Sequence, residues 1–171
     1  TAYASVDAKQ LLRTSPQLKY SKQTWWRPVV GMRMDGYKPG LPWAGDVPYF
    51  PPNPSPADVN ALKVRRALNL AVNNQEMVNT IFGGDGTTLS FKIIPSKIYE
   101  GIYTPLDQLP QDSRELFEYH PEKAKQLLTE AGYPNGFKTH AYVDTTQRIR
   151  AWEDQAIMIK EYWRKIGVDL E

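Results

Sequence analysis

The sequence predicts an α/β fold, a mixed sheet flanked by helices, on three observations. A strand-like alternation from Phe137 to Val143, a helical repeat from Ile149 to Ile166 and a second strand start at Val168-Asp169-Leu170 follow one another. Strand, helix, strand in that order is a βαβ crossover, which needs further strands beside it and helices packed on its faces. Two amphipathic helices, around Val64–Val72 and Pro121–Ala131, precede it and supply such a layer. The last strand has only begun at Leu170, so residues 1–171 are expected to form a single partial domain of a larger protein.

Taken in order, a short helix is expected from Val6 to Arg13, broken by Pro16. Trp25 to Met34 reads as a strand: Val29, Val30, Met32 and Met34 are apolar, Asp35-Gly36 makes a turn, and Pro28 favours a strand start or edge. Residues 37–60 carry Pro39, Pro42, Pro48, Pro51, Pro52, Pro54 and Pro56 among Trp43, Tyr49 and Phe50. Regular helix is not expected there, and the segment reads as an ordered, proline-stiffened excursion over the surface.

Val64, Ala67, Leu68, Ala71 and Val72 then fall at i, i+3, i+4, i+7 and i+8, with Lys63, Arg65, Arg66 and Asn69 on the wet face. Asn73 and Glu76 have capping-box spacing for a second helix that buries Met77, Val78, Ile81 and Phe82 and stops at Gly83-Gly84. Residues 85–118 read as loop with one short strand, around Ile93-Ile94-Pro95 and Tyr103-Thr104-Pro105. Pro121 suits a first helical turn, and Ala124, Leu127, Leu128 and Ala131 form a stripe that Gly132 terminates. Phe137, Thr139, Ala141 and Val143 alternate with Lys138, His140 and Tyr142, the period of a strand. The following helix buries Ile149, Trp152, Ala156, Ile159, Trp163 and Ile166 before Gly167.

Composition excludes several classes. The 171 residues carry 21 basic against 19 acidic side chains, too even a balance to mark a nucleic-acid or anionic-membrane surface. Without cysteine there is no disulfide, thiolate metal site or cysteine nucleophile. No run approaches the roughly 18 apolar residues of a membrane span, and Thr1-Ala2-Tyr3 begins no signal sequence, so any export signal is expected outside these residues. His120 and His140 lack zinc-ligand spacing, so no metal is expected. No nucleophile elbow, phosphate loop or paired carboxylates stand out, so neither catalysis nor a cofactor is expected.

Three segments together resemble the family 5 extracellular solute-binding proteins, the receptors of oligopeptide, dipeptide and nickel ABC importers. They are Val64-Arg65-Arg66-Ala67-Leu68-Asn69-Leu70-Ala71-Val72 with Glu76-Met77-Val78, then His120-Pro121-Glu122-Lys123-Ala124-Lys125-Gln126-Leu127-Leu128-Thr129-Glu130-Ala131-Gly132-Tyr133, and Trp163-Arg164-Lys165-Ile166-Gly167-Val168-Asp169-Leu170. Val30-Gly31-Met32-Arg33 is similar to the strand before the family's first helix. The sequence departs from the pattern in its long proline-rich excursion, in Asn73-Asn74, and in His120 where an acidic cap is usual. The resemblance implies a two-lobed clamshell architecture, the periplasmic-binding-protein-like type II fold, of which these residues form part of the second lobe. It also implies an extracytoplasmic location, a peptide or other small solute as ligand, and an ABC permease as partner. The chain alone is expected to be monomeric and to bind ligand feebly.

A helix N-terminus after a strand offers free N–H groups, and in a two-lobed receptor such ends face the cleft. The first-choice ligand residues are therefore Thr145, Thr146 and Gln147 for hydrogen bonds, Arg148 and Arg150 for a carboxylate, and Trp152 for apolar contact. The same residues also fit a solvated helix cap with Trp152 in the core. Arg33 and Asp35 are the second choice, against a surface salt bridge. Trp25, Trp26, Trp43 and Tyr49 either stack on a ligand or pin the proline-rich segment. A saccharide- or peptide-acting hydrolase and a protein-interaction module are the rival readings.

Overall fold

The computed structural model describes residues 5–19, 42, 55–86, 104–143 and 150–171. The predicted strand Trp25–Met34, the proline-rich stretch up to residue 54 apart from Pro42, the Ile93-Ile94-Pro95 stretch and residues 144–149 lie outside them. Among the described residues, six α-helices and two strands run in the order α1 Ser5–Thr14, α2 Pro56–Leu70, α3 Asn74–Phe82, α4 Gln111–Arg114, α5 Pro121–Glu130, β1 Phe137–Thr139, α6 Arg150–Lys165 and β2 Val168–Leu170. They divide between two compact units.

One unit holds α1, α3, the turns around α4 and the first half of α6. Here α1 packs on α3, and Lys9 Nζ donates to the Gly83 carbonyl at 2.8 Å, a cation where the helix dipole is negative. Gly83 and Gly84 take φ of 58° and 79°, and the Gly84 N–H returns to the Val78 carbonyl at 3.1 Å. The predicted stop of α3 is therefore observed, with Met77 buried and Val78, Ile81 and Phe82 half-buried. Within the segment expected to be loop, the described residues 104–118 are instead helical in short turns, Leu106–Gln108, α4 and Glu115–Phe117. Pro105 and Pro110 each stand just before a turn, where a missing N–H costs nothing.

The other unit holds α2, α5, β1, β2 and the last turns of α6. Helix α2 begins at Pro56, so the proline-rich segment gives way to helix after Ser55 and the expectation of no helix before residue 60 fails for its last five residues. Pro56 occupies the first helical position and Ser55 and Asp58 close a capping box. The Ser55 hydroxyl accepts from the Asp58 N–H at 3.2 Å, and Asp58 Oδ2 accepts from the Ser55 N–H at 3.1 Å. Such a cap is worth about 1 kcal/mol.

At its other end, α2 leaves four carbonyls without intrahelical partners. Each finds a donor: Ala67 from the Ala71 N–H at 3.0 Å, Asn69 from the Val72 N–H at 3.2 Å, and Leu70 from the His120 N–H at 2.8 Å. Leu68 accepts from the buried Trp163 indole at 3.0 Å. Two of these donors come from distant sequence and tie α5 and α6 to the end of α2. Ala61, Val64, Ala67 and Leu68 of α2 are buried, as are Ala124, Leu128 and Ala131 at α5. The two helices pack together, and small alanines in both stripes let the backbones approach.

β1 and β2 pair in parallel, Phe137 opposite Val168 and Thr139 opposite Leu170, joined by α6. The predicted βαβ order is present. The ladder ends with the Glu171 N–H on the Thr139 carbonyl and the Ala141 N–H on the Glu171 carbonyl, both 2.9 Å. The strand expected to reach Val143 is thus shorter, and His140 to Val143 are all exposed. Thr139, Val168 and Leu170 face the core with Ile159, Tyr162, Trp163 and Ile166. Gly136 and Gly167, each just before a strand, have φ of 72° and 87°, and the two backbones touch there.

Candidate functional site

A parallel βαβ unit has two unlike edges. The carboxyl ends of its strands are where ligands bind in open α/β sheets, because chain crossings there leave a crevice and helix N-termini offer N–H groups. The amino ends are where the chain enters the strands.

The amino edge carries a surface cavity of about 360 Å³ lined by Lys125, Thr129, Tyr133, Asn135, Lys165 and Gly167, among others. Its two lysines are engaged elsewhere: Lys125 Nζ lies 3.4 Å from Glu122 Oε1, and Lys165 Nζ sits 5.2 Å from the Tyr162 ring centroid. Tyr133 meets Phe137 edge-on at 5.3 Å. The ends of α5 and α6 that border this cavity are carboxyl ends, which disfavour an anion. It lies at the amino edge, away from the strand ends where open α/β sheets bind ligands, so it is not the candidate site.

The carboxyl edge is built by His140, Ala141 and Tyr142. The Ala141 N–H is held by Glu171, and the side chains on either side of it, His140 and Tyr142, meet at 5.4 Å with an interplanar angle of 79°. Tyr142 is 89% exposed. The alternation of Lys138, His140 and Tyr142 in the sequence puts both rings on one strand face. Their spacing of two residues was the available signal.

Of the predicted ligand residues, Thr145, Thr146, Gln147, Arg148, Arg33 and Asp35 lie outside the described residues. Arg150 opens α6, and Trp152 stands on its first turn, half-buried. Among the described residues no group of three His, Asp or Glu side chains is placed to hold a metal. His120 pairs with Glu118 at 2.9 Å and opens α5 without a side-chain cap bond. No helix among the described residues is long and apolar enough to cross a membrane.

Two charged groups on the helical layer depart from ordinary titration. Burial lowers the Arg65 guanidinium, against the opposing charge of Asp58. The Glu130 carboxyl is held below its ordinary value, first by the hydrogen bond from Lys63, then by that from Gln126 and by the Lys63 charge, with slight desolvation opposing. Lys63 Nζ is 3.0 Å from Glu130 Oε2, and Gln126 Nε2 is 3.0 Å from Glu130 Oε1. A carboxyl lowered on folding contributes stability above its unfolded value and loses it as pH falls through the folded one. The urea midpoint difference between the wild type and Glu130→Gln is therefore expected to be larger at neutral pH than at about pH 3. A difference of equal size at both pH values would contradict this account of the pair.

Parallel strands joined by a helix, with α2 and α5 packed beside them, define an α/β arrangement. The chain belongs to the bacterial extracellular solute-binding proteins, family 5, matching their middle region over residues 10–171. It is 37% identical over 125 residues to heme-binding protein A of Haemophilus influenzae, an alignment covering 72% of this chain and 21% of that protein. It is likewise 37% identical over 99 residues to the glutathione-binding protein GsiB of Escherichia coli strain K12, covering 56% of this chain and 17% of that one. Among solved structures, the PBP AgaA from A.tumefacien R10 in complex with agropinic acid aligns with a TM-score of 0.50 and 34% identity, covering 64% of this chain and 20% of that chain. The fold is thus periplasmic-binding-protein-like. The chain spans about a fifth of the length of these relatives.

Proposed function

We propose that these residues belong to the second lobe of the substrate-binding receptor of an ABC importer, within a single partial domain that includes the 37–60 excursion. The receptor captures peptides, or a related small solute, by lobe closure and presents them to a membrane permease. The observation that carries this reading is the family match over residues 10–171, nearly the whole chain. Named relatives that bind heme and glutathione support a binding role without bond breaking. Ligand contacts favour the closed state over the open one, so closure follows from differential affinity.

The location is extracytoplasmic. The segment from Thr145 through Gln147, Arg148 and Arg150 to Trp152 contacts the solute, with Arg33 and Asp35 as secondary contacts. Its residue types support this reading: hydroxyls and an amide for a peptide backbone, guanidinium groups for its carboxylate, and an indole for a side chain. Calorimetry of the complete receptor against tetrapeptides, glutathione and hemin tests the proposal. Peptide binding is the expected result. Silence toward every peptide, alongside binding of another solute, removes the peptide assignment.

A further inference from the structure

We draw no further inference here: the strongest candidate, the surface cavity at the carboxyl ends of α5 and α6 lined by Lys125, Thr129, Tyr133, Asn135 and Lys165, carries nothing because the chain spans about a fifth of the length of its relatives and nothing in the structure shows what covers it.

Discussion

Gly136→Ala is expected to abolish cooperative unfolding of the sheet-bearing unit, or to lower its stability by more than about 3 kcal/mol. A Cβ at Gly136 would lie 1.9 Å from the Gly167 carbonyl oxygen and 2.3 Å from its carbon. Both are backbone atoms of the residue just before β2, so no side chain can move aside. The residue also sits at φ 72°, which L side chains rarely adopt. Gly132→Ala separates the two effects: its φ is 94°, yet nothing lies within 4 Å of the added carbon. It should cost only the backbone strain, about 1–2 kcal/mol. Urea denaturation followed by circular dichroism measures both, and equal losses in the two variants would show that the close approach of Gly136 to Gly167 does not matter.

The second large effect is expected at Trp163. Trp163→Ala should destabilise the same unit by about 3–5 kcal/mol, the range for removing a large aromatic from a core. Its side chain is buried, 6% exposed, and its indole N–H supplies the Leu68 carbonyl that α2 leaves unpaired. Trp163→Phe keeps much of the apolar area but orphans that carbonyl, and should cost about 1–3 kcal/mol. A shifted urea midpoint with an unchanged slope is the signature of lost stability without a changed unfolded state. If Trp163→Phe were as stable as wild type, the indole bond would be irrelevant to holding α6 on α2.

These two residues mark the boundary of what sequence reading reaches. Trp163 was recognisable as a core position from the three-and-four repeat of Ile159, Trp163 and Ile166, yet nothing in that repeat names Leu68 as its partner. Gly136 drew no attention, because its constraint comes from Gly167, a residue on the far side of α6. Gly132, Gly83 and Gly167 were read correctly as helix stops, since a helix terminus and its left-handed residue are neighbours in the chain.

Proline shows the same division from the other side. Pro121 was read as a helix start because an apolar stripe follows it at once. Pro56 was absorbed into the preceding prolines, although Ser55 and Asp58 form a capping box that the residues themselves spell out. That signal was present and outweighed by the density of prolines before it. The turns after Pro105 and Pro110 span only three and four residues, too few to show a helical period in the sequence.

For the candidate site, the order strand, helix, strand and the family segments were legible in the residues, and they pointed to a binding lobe. The pairing of Phe137 with Val168 and of Thr139 with Leu170 was not, because the two strands are separated in the chain by the whole of α6.

Helices α1, α3, α5 and α6 could be read directly because their hydrogen bonds, caps and apolar faces lie within a few residues of one another. The length of β1, the closing of α2 by His120 and Trp163, the meeting of Gly136 with Gly167 and the two unlike edges of the βαβ unit emerged from the folded chain alone. Each depends on groups that are remote in sequence, and a residue's own type carries no record of which distant backbone will be brought against it.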